Sequence, residues 1–435
     1  MKVVHRRRRA GVLLVLALTA VLAACSEDLE TNAGCPALCA QNVPVRDTVV
    51  DPFALDTSIA GYPITGSERV MLLATRGDTV DTRIILRFDS LTTQFIPRAG
   101  DSLRPLAELD SAYLRLALDP RGALRRGTLT LQAYDVDAGV DTATATVLSL
   151  FRPDRLVGTT TMAGELVVDS IRIPLDTAKV LARIRGGSRL RLGLRVIGSQ
   201  SAQLRVFASE DLFGAPPELR YRAPGDTATK TLRVQLASSG PAVDEKSRIE
   251  MADYVLVVRG STPPAPNEIV VGGLPARRGY LRFNIPARIV DSTNVIRATL
   301  MLRQRPAPTF AGDDTLSVLV DLSTAGPAVT DLSKSLAFFS PLAFFRQSFA
   351  ALQFASDSVR VVSSANGTVS IDIAGVLQFW RASGTTTALP RALVLRLQGE
   401  SSLPGEFRFY SSEAAPALRP QLRITFVPGR VVGLP

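Results

Sequence analysis

The chain has 435 residues, 46% of them hydrophobic, which excludes a disordered polymer. Lys and Arg number 50 against 40 Asp and Glu, a formal charge of +10. Five of those basic residues fall within the first nine positions and the rest form no block, so the electrostatic footprint of a nucleic-acid binder is missing. The single histidine is His5, so a chain that sheds its leader has no Ser-His-Asp or Cys-His site. It also lacks the commonest transition-metal ligand; carboxylate chemistry of the glycosidase kind stays open.

Residues 1–24 read as a secretory signal peptide. Lys2, Arg6, Arg7, Arg8 and Arg9 precede the apolar run 12–22, and the small residues Ala23 and Ala24 follow. The run is too short for a stop-transfer helix. Leu22-Ala23-Ala24-Cys25 resembles a bacterial lipobox. That resemblance implies cleavage before Cys25, a lipid on Cys25 and attachment to a membrane of the cell envelope. Ser26, in place of the Asp that commonly retains lipoproteins at the inner membrane, favours the outer one. Residues 25–45 read as a tether. Cys35 and Cys39 within it are expected to pair as a tight disulfide in an oxidising envelope, the alternatives being free thiols or intermolecular pairing.

From residue 46 onward the pattern is short alternating runs broken by Gly, Pro, Asp and Ser, which predicts an all-β fold of sandwich type. Predicted strands are 84–88, 112–118, 129–134, 165–173, 189–196, 232–236, 254–259, 279–285, 298–303, 316–321, 392–398 and 421–426. In Arg189-Leu190-Arg191-Leu192-Gly193-Leu194-Arg195-Val196 the Leu and Val face is expected inward and the Arg face toward water. The chain also repeats itself. Ile85-Leu86-Arg87-Phe88 recurs as Tyr280-Leu281-Arg282-Phe283, and Ala112-Tyr113-Leu114-Arg115-Leu116 as Ala298-Thr299-Leu300-Met301-Leu302. Arg205-Val206-Phe207-Ala208-Ser209-Glu210 recurs as Arg408-Phe409-Tyr410-Ser411-Ser412-Glu413. Pro217-Glu218-Leu219-Arg220 and Pro420-Gln421-Leu422-Arg423 then follow at identical spacing. Two tandem domains are predicted, 46–224 and 225–429, with a tail at 430–435.

These blocks resemble the DNRLRE-type bacterial surface domains, most closely over about residues 250–428, where 371–380 fits the family's penultimate stretch. The naming hexapeptide itself is absent: the matching region reads Pro275-Ala276-Arg277-Arg278-Gly279-Tyr280-Leu281-Arg282-Phe283. The resemblance implies two tandem jelly-roll-like β-sandwiches classed with carbohydrate-binding modules.

The chain has one Trp and seven Tyr, few aromatics for sugar stacking. Trp380 follows an apolar helical turn and is expected to seal the core beside it; the competing reading is a sugar platform. Asp135, Asp137 and Asp141 form a loop that offers carboxylates to Ca²⁺, against the plainer reading of a solvated turn; the same choice applies to Asp313 and Asp314. No other metal or cofactor is implied. Residues 331–355 carry Leu342, Phe345, Phe349 and Leu352 on one helical face, widened by Phe338. An inserted helix capping the second sandwich is expected there, or else a patch facing a partner or membrane. Glu210 and Glu413 are expected to accept backbone N–H bonds in the turn before the last strand of each repeat. No catalytic motif stands out. The expected function is a non-catalytic, lipid-anchored envelope protein that binds polysaccharide or acts in adhesion. The alternatives are an assembly subunit of an envelope complex and a carboxylate-dependent polysaccharide-degrading enzyme.

Overall fold

A computed structural model describes residues 45–428, except 64, 122, 138, 140–142, 213, 229–230, 239–250, 308–314, 323–357, 363–365, 383–390 and 401. The signal peptide, Cys25, Cys35, Cys39, the tether, Asp141, Asp313, Asp314, the Phe-rich segment with Phe338, Phe345 and Phe349, and the tail lie outside the described residues.

Elements of the first half are β1 (Arg46–Val50), β2 (Phe53–Tyr62), β3 (Val70–Arg76), β4 (Val80–Phe88), β5 (Gln94–Phe95), β6 (Arg104–Pro105), β7 (Ser111–Ala117), β8 (Leu124–Arg125), β9 (Thr128–Asp135), α1 (Thr144–Ser149), β10 (Leu156–Ala163), β11 (Ser170–Pro174), α2 (Thr177–Arg185), β12 (Leu190–Gly198), β13 (Ala202–Phe207) and β14 (Glu218–Arg222). The second half contains β15 (Leu232–Gln235), β16 (Asp253–Arg259), β17 (Glu268–Gly272), β18 (Ala276–Phe283), α3 (Ala287–Val290), β19 (Thr293–Arg305), β20 (Thr315–Leu322), β21 (Ser358–Val362), β22 (Thr368–Asp372), α4 (Ala374–Ala382), β23 (Ala392–Leu397), β24 (Glu406–Tyr410) and β25 (Gln421–Pro428).

Local pattern explains most of these. In β7, Ala112, Leu114 and Leu116 are buried while Tyr113 and Arg115 point outward, the period-two signature of a strand with one face on a core. In α2, Val180 and Ile184 lie four apart on the buried face, and Asp176 caps the helix by accepting from the backbone N–H of Ala178 at 2.9 Å and Lys179 at 3.1 Å. The strand expected at 165–173 is shorter than its alternation suggests. Gly164–Leu166 makes a 3₁₀ turn, and the strand begins only at Ser170. Gly164 donates to the carbonyl of Gly127 at 2.8 Å and sits so close to the backbone that a Cβ would lie 2.1 Å from the carbonyl oxygen of Arg125.

The halves share one pairing scheme. The first has the order β10-β9-β12-β4-β3-β13 in one layer and β11-β7-β14-β15 in the other. The second has β21-β20-β23-β18-β17-β24, and β22-β19-β25-β1. The layers curl toward each other at equivalent places: Leu118 bridges Val206 in one half and Gln304 pairs Phe409 in the other. Each half is an antiparallel, jelly-roll-like sandwich around its own apolar core. The first core holds Leu73, Leu86, Leu114, Leu192 and Leu204, and the second holds Leu281, Phe283, Leu300, Leu395 and Phe407.

Sheet membership, however, crosses the expected junction between 46–224 and 225–429. Strand β16 pairs with β4 of the first half, with Asp253 opposite Leu86. Strand β2 pairs with β18 of the second, with Asp56 opposite Leu281. Likewise Val234 of β15 faces Leu219, and Val50 of β1 faces Leu422. Leu86 and Leu281 are repeat equivalents, as are Leu219 and Leu422. The leading strand pair of each repeat is therefore docked on the body of the other, a reciprocal exchange within one chain. Local alternation is the same whichever body receives a strand, which is why the sequence does not reveal it.

The exchange also corrects the orientation expected for Arg191. The outer face of β12 and β4 is covered by a second cluster containing Val147, Met251, Tyr254 and Leu256. Arg191 is fully buried there, and its Nη2 donates to the Tyr254 hydroxyl at 2.6 Å.

Candidate functional site

Each exchanged strand is fastened by one carboxylate. Asp253 of β16 accepts from the Ser209 backbone N–H at 2.7 Å and from its hydroxyl at 2.8 Å. Asp56 of β2 does the same with Ser412, at 2.7 and 2.6 Å. Ser209 and Ser412 are repeat equivalents, so the clamp is duplicated. The backbone-accepting role expected of Glu210 and Glu413 thus falls to an aspartate from the opposite repeat; Glu413 instead accepts from the Ser411 hydroxyl.

The first half adds a second acid to its clamp. Glu68 accepts from the Gly66 N–H at 2.6 Å and faces the Val255 N–H of β16 at 3.5 Å. Burial, reinforced by the charge of Asp253, pushes Glu68 up to about 8. Burial, reinforced by Glu210, pushes Asp253 up to about 6. Glu68 lines a pocket of about 300 Å³ with Gly61, Pro63, Thr65 and Val255, where the crossing strands leave their sheets. The two acids are only 6% and 2% exposed, so they serve packing and strand attachment rather than an open reaction site.

A larger polar cleft, of about 770 Å³, lies where the two sandwiches meet. Behind its lining lies Asp119, the residue two beyond β7. The Asp119 carboxylate takes the Arg121 guanidinium in a fork, from Nε at 2.9 Å and Nη2 at 2.8 Å, and pairs with Arg205 at 3.1 Å. Burial works to raise the Asp119 carboxyl, but the hydrogen bonds and charge of Arg121 and Arg205 outweigh it and hold it below its ordinary value. Arg205 on β13 also donates to the Arg121 carbonyl at 2.6 Å and, across the junction, to the Ser402 hydroxyl at 3.1 Å. Its Nε is buried without a hydrogen-bond partner. Among the described residues, Arg69 and Arg396 complete a set of four lining arginines, and Asp211 and Glu400 are the lining acids. Glu400 is held by Arg278 through bonds of 2.9 and 2.7 Å.

Repeat symmetry is broken at this cleft. Arg408, the counterpart of Arg205, stays within its own half, donating to Glu406 at 2.8 Å and Glu268 at 2.9 Å.

Trp380 is not on a surface. It is 5% exposed on α4, with its ring 5.4 Å from that of Phe283, so it seals the second core and has no face for a sugar. The carboxylates proposed for calcium are engaged by arginines. Asp135 accepts from Arg183 at 3.0 Å, and Asp137 accepts from Arg189 at 2.8 Å and from the Gly139 N–H at 3.0 Å. Burial works to raise Asp137, and the Arg189 hydrogen bond and charge outweigh it, leaving it below its ordinary value. Among the described residues no group of three or more His, Cys, Asp or Glu is placed to hold a metal ion. Asp56, Asp253, Glu68 and Arg205 were missed by pattern reading; the available signal was a lone acid in apolar strands such as Phe53–Tyr62 and Asp253–Arg259.

No family model matches this chain, and comparison with curated proteins finds no match. Among solved structures, the chain is similar to empty particles of Cowpea mosaic virus at 10% identity, over 91% of this chain and 95% of that one, with a TM-score of 0.16. It is similar to the C-terminal domain of the antigen I/II-family protein AspA of Streptococcus pyogenes at 8% identity, over 84% and 92%, with a TM-score of 0.16. For infectious bursal disease virus, Gt strain, the values are 10% identity, 88% and 78% coverage and a TM-score of 0.10. Scores this low carry no argument about function.

Proposed function

We propose that this chain is a non-catalytic binding protein of the bacterial cell envelope, held by a lipid on Cys25 at the outer membrane, and that its ligand is polysaccharide. The sequence likeness to DNRLRE-type surface domains belongs to the same reading. The observation that carries it is the polar cleft of about 770 Å³ at the junction of the sandwiches, built from side chains of both halves. Non-catalysis is supported by the burial of Glu68 and Asp253, the two carboxylates pushed furthest up: neither reaches open solvent, where a glycosidic bond would have to sit.

Two experiments test this. The detergent-purified full chain on a glycan array is expected to retain a subset of polysaccharides. No retention, together with a protein partner trapped by crosslinking in cells, would favour the assembly-subunit alternative. Cys25→Ser is expected to move the folded protein from the membrane fraction to the soluble one; persistent membrane attachment would remove the lipid tether from the proposal.

A further inference from the structure

We infer that Asn366 is a site of spontaneous covalent modification: its side-chain amide is lost by cyclisation onto the backbone nitrogen of Gly367, and water opens the ring to aspartate or isoaspartate. The chain has six asparagines, and Asn366 alone is followed by glycine. Both residues are exposed and lie immediately before β22. Among the described residues no group accepts from the Gly367 N–H or holds the Asn366 side chain. The burial and hydrogen bonding that protect most backbone nitrogens are missing at this one.

Glycine matters here in two ways. With no Cβ it leaves its own nitrogen open to approach, and it tolerates the backbone angles that the ring imposes. Room is available, since a Cβ built on Gly367 would meet no atom within 4 Å. Asn294 on β19 supplies the contrast. It is exposed too, yet the next residue is the β-branched Val295, and Asn294 is fixed opposite Val427 in a strand pair.

In the first step the Gly367 nitrogen gives up its proton and bonds to Cγ of Asn366. The Cγ–Nδ2 bond breaks, and ammonia leaves with that proton. Water then adds to one of the two ring carbonyls. Opening on one side gives an aspartyl residue; opening on the other gives isoaspartate, whose main chain runs through the side-chain carbon. Water is the only co-reactant, and nothing is oxidised or reduced. Isoaspartate lengthens the main chain by one methylene just ahead of β22, where the Gln304 N–H donates to the Gly367 carbonyl at 2.8 Å and Arg303 faces Thr368.

The test incubates the purified full chain in neutral and in mildly alkaline buffer made with heavy-oxygen water, and follows each asparagine by peptide mass mapping. Asn366 is expected to become a mixture of isoaspartate and aspartate carrying one heavy oxygen, faster in the alkaline buffer, while Asn294 stays an amide. Gly367→Ala is expected to slow the conversion at least about tenfold. In the isoaspartate form, hydrogen exchange is expected to accelerate at Gln304 and across Thr368–Asp372. Asn366→Asp, which adds the charge without the methylene, is expected to keep the parent's protection. Retention of the Asn366 amide, conversion of Asn294 at the same rate, a rate unchanged in Gly367→Ala, or aspartate formed without isoaspartate would each overturn the inference. So would a sugar on Asn366 in protein from its native source, which the sequence Asn366-Gly367-Thr368 also permits.

Discussion

Asp56 and Ser412 stand 356 positions apart in sequence and are joined by two hydrogen bonds, of 2.7 and 2.6 Å. Asp253 and Ser209 repeat the arrangement in the other sandwich. Together these pairs fasten each repeat's leading strand onto the opposite repeat, so the two sandwiches are interlocked through their sheets as well as joined by the chain.

Removing either carboxylate takes two hydrogen bonds from a part-buried turn. Asp56→Ala and Asp253→Ala are each expected to cost about 1–3 kcal/mol in urea unfolding. A double-mutant cycle of Asp56→Ala with Ser412→Ala should show a coupling of about 0.5–3 kcal/mol. Additive effects would mean that the two residues do not act as a pair.

Stability should fall as pH rises. Glu68 and Asp253 are pushed up to about 8 and about 6 from ordinary values of 4.5 and 3.8. On raising pH, the unfolded chain sheds these protons before the folded one does. The contribution is therefore full below about pH 4 and is lost progressively between about pH 4 and pH 8, at a total cost of several kcal/mol. The urea midpoint is expected to be higher at pH 5 than at pH 8.5, and Glu68→Gln should flatten the part above pH 6. A midpoint that climbs over this interval would contradict the assignment.

The strand exchange itself is measurable. Ser58 lies opposite Gly279 of β18, and its hydroxyl accepts from the Val270 N–H at 2.7 Å. Ser58→Pro removes the strand N–H and the hydroxyl together. Hydrogen exchange should accelerate in Ala276–Phe283 of the second sandwich while Val80–Phe88 of the first keeps its protection. The opposite distribution would return β2 to the first sandwich.

Trp380→Ala empties the site beside Phe283 and is expected to cost about 3–5 kcal/mol in thermal or urea unfolding. Polysaccharide binding by the folded variant should match the parent, since the ring is in the core and the cleft is built elsewhere. A selective loss of affinity with unchanged melting would reinstate the indole as a ligand platform.

The sandwich class was legible in the sequence because a half-buried strand writes a period of two into the chain, as in Ala112, Leu114 and Leu116. The duplication was legible in the spacing from Ser209 to Leu219 and from Ser412 to Leu422. The core placement of Trp380 was foreseen from the apolar turn before it. The burial of Arg191 was not, because its cover, Tyr254, comes from the other repeat. The clamp was misassigned to Glu210 and Glu413 for a related reason: the residue that accepts the turn N–H lies on a strand far along the chain.

By itself, then, the sequence determined the all-β class and the internal repeat, since both are carried by residues close together in the chain. Only the tertiary structure decided which body each leading strand completes, which acids are sealed and which side chains meet at the junction, because hydrogen-bond partners and burial depend on groups separated by hundreds of positions.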